Sequence, residues 1–186
     1  MKDVEFIKEM LQKGVEAKNK VKVEFSDLTL QQLNWKLTSG SWSIGQCLDH
    51  LIVSDCLYFP VLKKITEGQY RMTIWESWSP FSKICGRMLT DRLQEQVKKK
   101  MKAPKVLLPS VSIDTGISEH FHKHLDSFLN YVSGCDKVNV DKIIITSPAI
   151  KFVTYSLRDA ITFLIQHEHR HINQAIRVKM NEAFPK

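Results

Sequence analysis

Seven histidines, at positions 50, 120, 122, 124, 167, 169 and 171, are the side chains best suited to chemistry near neutral pH. His167 and His171 stand four apart in the run FLIQHEHRHINQAI, so on a helix they share a face. At about 100° per residue and with His167 at zero, His171 falls near roughly 40° and Leu164 near roughly 60°, while Val178 and Ala160 fall near roughly 20°. Both imidazoles therefore point with the apolar residues into a core. By the same arithmetic His169 falls near roughly 200°, beside Arg158, and points away. His50 lies in a separate apolar segment, WSIGQCLDHLIVSD, on one face with Cys47, Ser54, Leu57 and Val61. Buried polar groups without partners cost about 1–3 kcal/mol each, and three neutral imidazoles converging from two helices find a common partner in one divalent metal ion. Each histidine taken singly is as well served by a backbone carbonyl or a water. The pair His120 and His124 has the same spacing but lies to one side of the Phe121, Leu125, Phe128, Leu129, Val132 stripe, where a solvated face is expected; His122 lies near the opposite edge.

The same run contains the zinc-protease pattern HExxH, with Glu168 in the general-base position. The metzincin continuation requires glycine at 174 and histidine at 177, where the chain has Gln174 and Arg177, and little chain follows His171 to supply a glutamate ligand. A protease is therefore the weaker reading. The four cysteines, at 47, 56, 85 and 135, form no CxxC pair and read as small core residues, although Cys47 stands one turn before His50.

The elements that position these side chains follow from local signals. Asp3 is placed to cap a first amphipathic helix to about residue 20, with Val4, Ile7, Leu11 and Val15 as its stripe. Residues from Phe25 to Trp42 read as a turn-rich connector. Ser43 and Gln46 form a capping-box pattern opening a helix to about Thr66, kinked at Pro60 and ended by Gly68. Ser79 and Pro80 predict a further helix to about Met101, and the two prolines of KAPKVLLPSVSID predict extended chain. A core helix follows over about 115–132, then a β-branched stretch around 142–155 fit for a short hairpin, then a helix from Ser156 to about Asn181. With 186 residues, ordinary apolar content, no repeats and no dividing linker, the chain reads as one all-α domain, residues 1–186.

The net charge of +7 raises nucleic acid as a partner, but much of the excess sits in Lys98, Lys99, Lys100, Lys102 and Lys105 without interleaved aromatics, a solvated charge run offering no specific readout. No apolar stretch is long enough for a membrane span, and the acid-containing start is unlike a secretion or transit signal, so a cytoplasmic location is expected. Trp75 and Trp78 read as either pocket lining or bundle plugs.

Taken together, WSIGQCLDHLIVSD, KAPKVLLP and YSLRDAITFLIQHEHRHINQAI closely resemble the DinB/YfiT-like superfamily over nearly the whole chain, through Trp42, Ser43, His50, His167, His171 and Gln174. The resemblance implies an up-down-down-up four-helix bundle, often a homodimer, with His50, His167 and His171 as metal ligands to zinc or nickel. An additional short helix is expected in the long connection between the second and third core helices. It further implies a small-molecule substrate and, for some members, thiol S-transfer with a low-molecular-weight thiol. The functions left open are a metal-dependent transferase or hydrolase and a non-catalytic bundle that binds a metal or small ligand.

Overall fold

The computed structural model describes residues 2–91 and 104–186. Four long helical segments form the bundle. The first, α1 (Lys2–Phe25), is longer than its expected span and already contains Asp3, which pairs with Arg158 at 2.8 Å instead of capping. Its buried face is also rotated from the expected one. Ile7, Met10, Ala17, Val21 and Phe25 are buried, whereas Val4 and Val15 are exposed. The reason is Gly14: a Cβ there would lie 2.3 Å from Leu129 Cδ2, so the face that packs most closely is marked by a missing side chain rather than by an apolar one.

The connector holds one short helix, α2 (Leu30–Asn34), opened by a Thr29/Gln32 capping box. The second bundle helix, α3 (Ile44–Cys56), begins at the expected Ser43/Gln46 box. It does not continue through Pro60 as a kinked helix. The chain breaks after Cys56 and restarts as α4 (Phe59–Thr66), with Pro60 in its first turn, where a missing N–H leaves no intrahelical bond unmade. Gly68 ends it at φ +70°, as expected of a left-handed cap.

The long connection carries α5 (Ile74–Trp78) and α6 (Ser82–Asp91). The expected cap at Ser79 is displaced: the helix starts at Ser82, and the Ser79 hydroxyl bonds Thr154 at 2.6 Å. The rest of the helix expected to Met101, and the lysines Lys98, Lys99, Lys100 and Lys102, lie outside the described residues. Trp75 and Trp78 are exposed and neither plugs the bundle. The proline-containing segment holds a 3-10 turn at Lys105–Leu107. The third and fourth bundle helices are α7 (Ile117–Gly134) and α8 (Leu157–Lys179). Between them the expected hairpin forms from β1 (Ile144–Thr146) and β2 (Thr154–Ser156), antiparallel with Ile145 opposite Tyr155.

Contacts along the helices fix their directions. Asp3 meets Arg158 near both starts and Glu24 meets Lys179 at 3.0 Å near both ends, so α1 and α8 run parallel. Trp42 stacks near His171 while Tyr58 bonds Tyr155, so α3 runs against α8. Lys18 pairs with Asp126, and Gly14 packs on Leu129 four residues earlier, so α7 runs against α1. The order is up-down-down-up. Phe25, Phe121, Phe128 and Tyr155 are the largest fully buried side chains, and together with Leu48, Leu51 and Leu164 they fill the space between the helices. Among the described residues no helix is long and apolar enough to cross a membrane.

Candidate metal centre

α3 and α8 cross with His50 facing His167 and His171. The ligand-capable atoms of the three rings all lie within 4.8 Å of one another, and the ring centroids are 4.5–5.0 Å apart. His50 and His167 are buried and His171 is half-buried. All three sequence-derived candidates thus meet at one point.

Their protonation suits a cation. Burial lowers the pKa of His50; burial, then the neighbouring His171, His50 and Arg170, hold His167 well below the usual imidazole range. His171 is lowered to about 3, chiefly by burial and then by His50 and Arg170, with the Gln174 side chain acting in the opposite direction. The rings are therefore neutral at pH 7, the form that ligates metal.

His50 Nδ1 lies 2.6 Å from the Leu107 carbonyl. A carbonyl only accepts, so Nδ1 carries the proton and Nε2 is bare. That bare nitrogen lies 3.2 Å from His167 Nε2. Zinc–nitrogen bonds of about 2.0–2.1 Å at a tetrahedral angle place two ligand nitrogens about 3.3 Å apart, so the observed spacing fits two ligands of one ion. The Nδ1 atoms of His167 and His171 are buried without hydrogen-bond partners. His50 meets a backbone carbonyl, but His167 and His171 each keep a buried nitrogen without a partner, and the three rings converging on one point fit a divalent metal.

The surroundings hold the rings in place. Trp42 stacks on His171 at 5.5 Å and Phe163, one turn before His167, stacks on that ring at 5.4 Å. The segment bearing Leu107 is sewn to α3 by Gln46 Nε2 donating to the Ser110 carbonyl at 2.8 Å and by the Ser110 N–H donating to Asp49 at 2.6 Å. These contacts carry a local role for the connector that its sequence does not advertise, because the acceptor for His50 is a main-chain oxygen.

The other candidates are placed elsewhere. His169 turns away, as expected, and its Nε2 bonds the Lys13 carbonyl at 3.0 Å. Cys47 is fully buried, and burial pushes its thiol up to about 12; it belongs to the core. His120 is exposed, but His124 is not on a solvated face: it is buried, stacked on Phe59 at 5.0 Å, and 3.4 Å from Asp55. The turn after Cys56 brings Phe59 over the ring, which the one-helix reading of 44–66 did not anticipate.

Glu168 is fully buried beside Asp55, its carboxyl oxygens make no hydrogen bond, and it is not among the residues whose ligand atoms meet at the imidazole cluster. It is therefore not placed as a general base for the HExxH histidines. Burial, and then the Asp55 carboxylate, hold Glu168 well above the ordinary carboxylate range, so it keeps its proton in the folded protein. Its unfolded pKa is near 4.5. The folded chain thus holds a proton that the unfolded chain releases, and this group's contribution falls as pH rises above that value. Glu168→Gln should accordingly be more stable than the wild type at pH 8 and should flatten the loss between pH 5 and pH 8, measured by urea unfolding. A variant less stable at pH 8 with an unaltered slope would refute the assignment.

A four-helix bundle in which three neutral histidines from two helices converge is an arrangement that could hold a divalent metal ion. The chain matches the family described as the DinB superfamily over residues 16–175, and it belongs to that superfamily. No curated protein and no solved structure matches it significantly.

Proposed function

We propose that the protein holds one zinc or nickel ion through His50, His167 and His171 and acts as a metal-dependent enzyme of the thiol S-transferase or hydrolase type on a small molecule. The observation that carries this reading is the convergence of three neutral imidazoles with no carboxylate or thiolate among them. Such a donor set leaves a bound ion its full charge and an open position, supplying a Lewis acid of the catalytic rather than the structural kind.

The chain's own residues supply the rest. The Leu107 carbonyl fixes the tautomer of His50, and Trp42 and Phe163 cover ring faces and hold water off them. Because Glu168 lies beside Asp55 and keeps its proton, it offers no base for activating water at this point, which favours thiol transfer, with a low-molecular-weight thiol as co-substrate, over hydrolysis. The same observation supports a second reading, a non-catalytic bundle that binds metal or a small ligand.

The two readings part on turnover. Metal-loaded protein is mixed with 1-chloro-2,4-dinitrobenzene and a panel of low-molecular-weight thiols, and product is followed against His171→Ala. Many turnovers per metal, absent in the variant, support the enzyme. Stoichiometric metal with no turnover on any thiol supports the binding protein.

A further inference from the structure

Beyond the imidazole cluster, α3 ends in a second constellation that joins a nucleophile to a base. Cys56 Sγ lies 3.7 Å from His124 Nδ1, and His124 Nε2 lies 3.4 Å from Asp55 Oδ2. The thiol is exposed, the ring is buried against Phe59, and the carboxylate is fully buried. Cys56 stands six residues after His50, about 9 Å further along the helix axis, so the two sites are separate. Nucleophile, base and a third group orienting the base is the arrangement that activates a thiol.

The hydrogen-bond chemistry sets the direction of proton flow. With Asp55 Oδ2 accepting from Nε2, His124 presents a bare Nδ1 to the Cys56 S–H. Glu168, Tyr58 and His50 are the further titratable groups that interact with Asp55. Partial burial, and then Asp55, push the Cys56 thiol up from its ordinary value, so Cys56 needs a base beside it to act as a nucleophile. The proton has to leave through His124.

The geometry points to Cys56 as a site of thiol–disulfide exchange with small disulfides, with His124 as general base and Asp55 orienting the ring. The S–H proton passes to His124 Nδ1 as the sulfur attacks one sulfur of the disulfide. That S–S bond breaks, a new one forms to Cys56, and the departing thiolate takes the proton from the imidazolium. The disulfide is the only oxidant required, and the products are one mixed disulfide and one free thiol.

The full-length protein with reduced cysteines is treated with excess bis(2-hydroxyethyl) disulfide at pH 7, and each site is followed by peptide mass mapping. Cys56 should react first, and His124→Gln should slow it by about 100-fold, the lower range of a general base's contribution, while leaving the half-buried Cys85 unchanged. The buried Cys47 and Cys135 should stay unmodified in both proteins and so report an intact fold. An unchanged Cys56 rate in folded His124→Gln overturns the proposal. If Cys47 and Cys135 of the variant react, it has unfolded, and the wild type decides: Cys56 must then outpace the thiol of N-acetylcysteine amide, because a partly shielded thiol with no base is slower. Ring-nitrogen NMR gives an independent readout. His124 protonated on Nε2 with a bare Nδ1 is required, and the opposite tautomer overturns the assignment.

Discussion

Alanine at His50, His167 or His171 will abolish stoichiometric metal binding, whereas His169→Ala, two residues from either of the last two, will leave it intact. The expected loss exceeds about 100-fold in affinity, because even removal of an outer-shell partner costs about 10- to 100-fold, and these three rings would be the donors themselves. His120→Ala and His124→Ala should behave like His169→Ala, since none of those rings joins the cluster. Elemental analysis after gel filtration of protein purified without a polyhistidine tag measures the stoichiometry, and calorimetric titration measures the affinity. Retention of metal by His50→Ala together with its loss in His169→Ala or His124→Ala would refute the site. The pH dependence gives a second handle. A ring with a lowered pKa stays neutral well below the ordinary imidazole value, His171 down to about 3. Protons therefore compete poorly, and binding should weaken little between pH 7.5 and pH 5.5, a range over which a site of unperturbed histidines loses affinity steeply.

Bound metal will also raise the melting temperature by a large increment. A ligand at about 1,000 times its dissociation constant adds about 4 kcal/mol to the folded state. For a chain of this length each kcal/mol moves the midpoint by about 2–4 °C, which places the expected rise near about 8–16 °C. The physical source is the ion's bonds to imidazole nitrogens on both α3 and α8, which cross-link two helices and exist only in the folded state. Thermal scans of wild type and His171→Ala over a series of free zinc and nickel concentrations test it. The rise should grow with the logarithm of metal concentration in the wild type and vanish in the variant. An equal rise in both would place the stabilising metal elsewhere.

Much of the bundle was legible because its signals are local. The Ser43/Gln46 box, the Gly68 terminator, the stripe of α7 and the phase of His167 against His169 each depend on residues within a few positions, and each is found in the structure. The buried face of α1 is not legible from apolar spacing, for the opposite reason. Hydrophobicity marks Val4 and Val15, but the closest packing runs through Gly14 and Ala17, and only the partner helix shows that a small residue is buried. Pro60 was correctly seen as a disruption, yet whether a helix bends or restarts depends on what covers the break, here Phe59 packed on His124 and Tyr131.

The sequence by itself determined that His50, His167 and His171 face the core and that His169 turns away, since helical periodicity is set by backbone geometry and needs no knowledge of the partner. It also carried the family's motif residues and the all-α architecture. Only the tertiary structure decided what each imidazole meets. The Leu107 carbonyl that sets the tautomer of His50 is a main-chain atom with no signature of its own. The burial of His124, the fixing of its ring between Asp55 and Cys56, and the placing of Glu168 beside Asp55 arise where α3, α7 and α8 pack together. Such contacts join residues about 70 to 110 positions apart in the chain, and an unpaired buried charge is expensive enough that their arrangement is settled by the whole core rather than by any one segment.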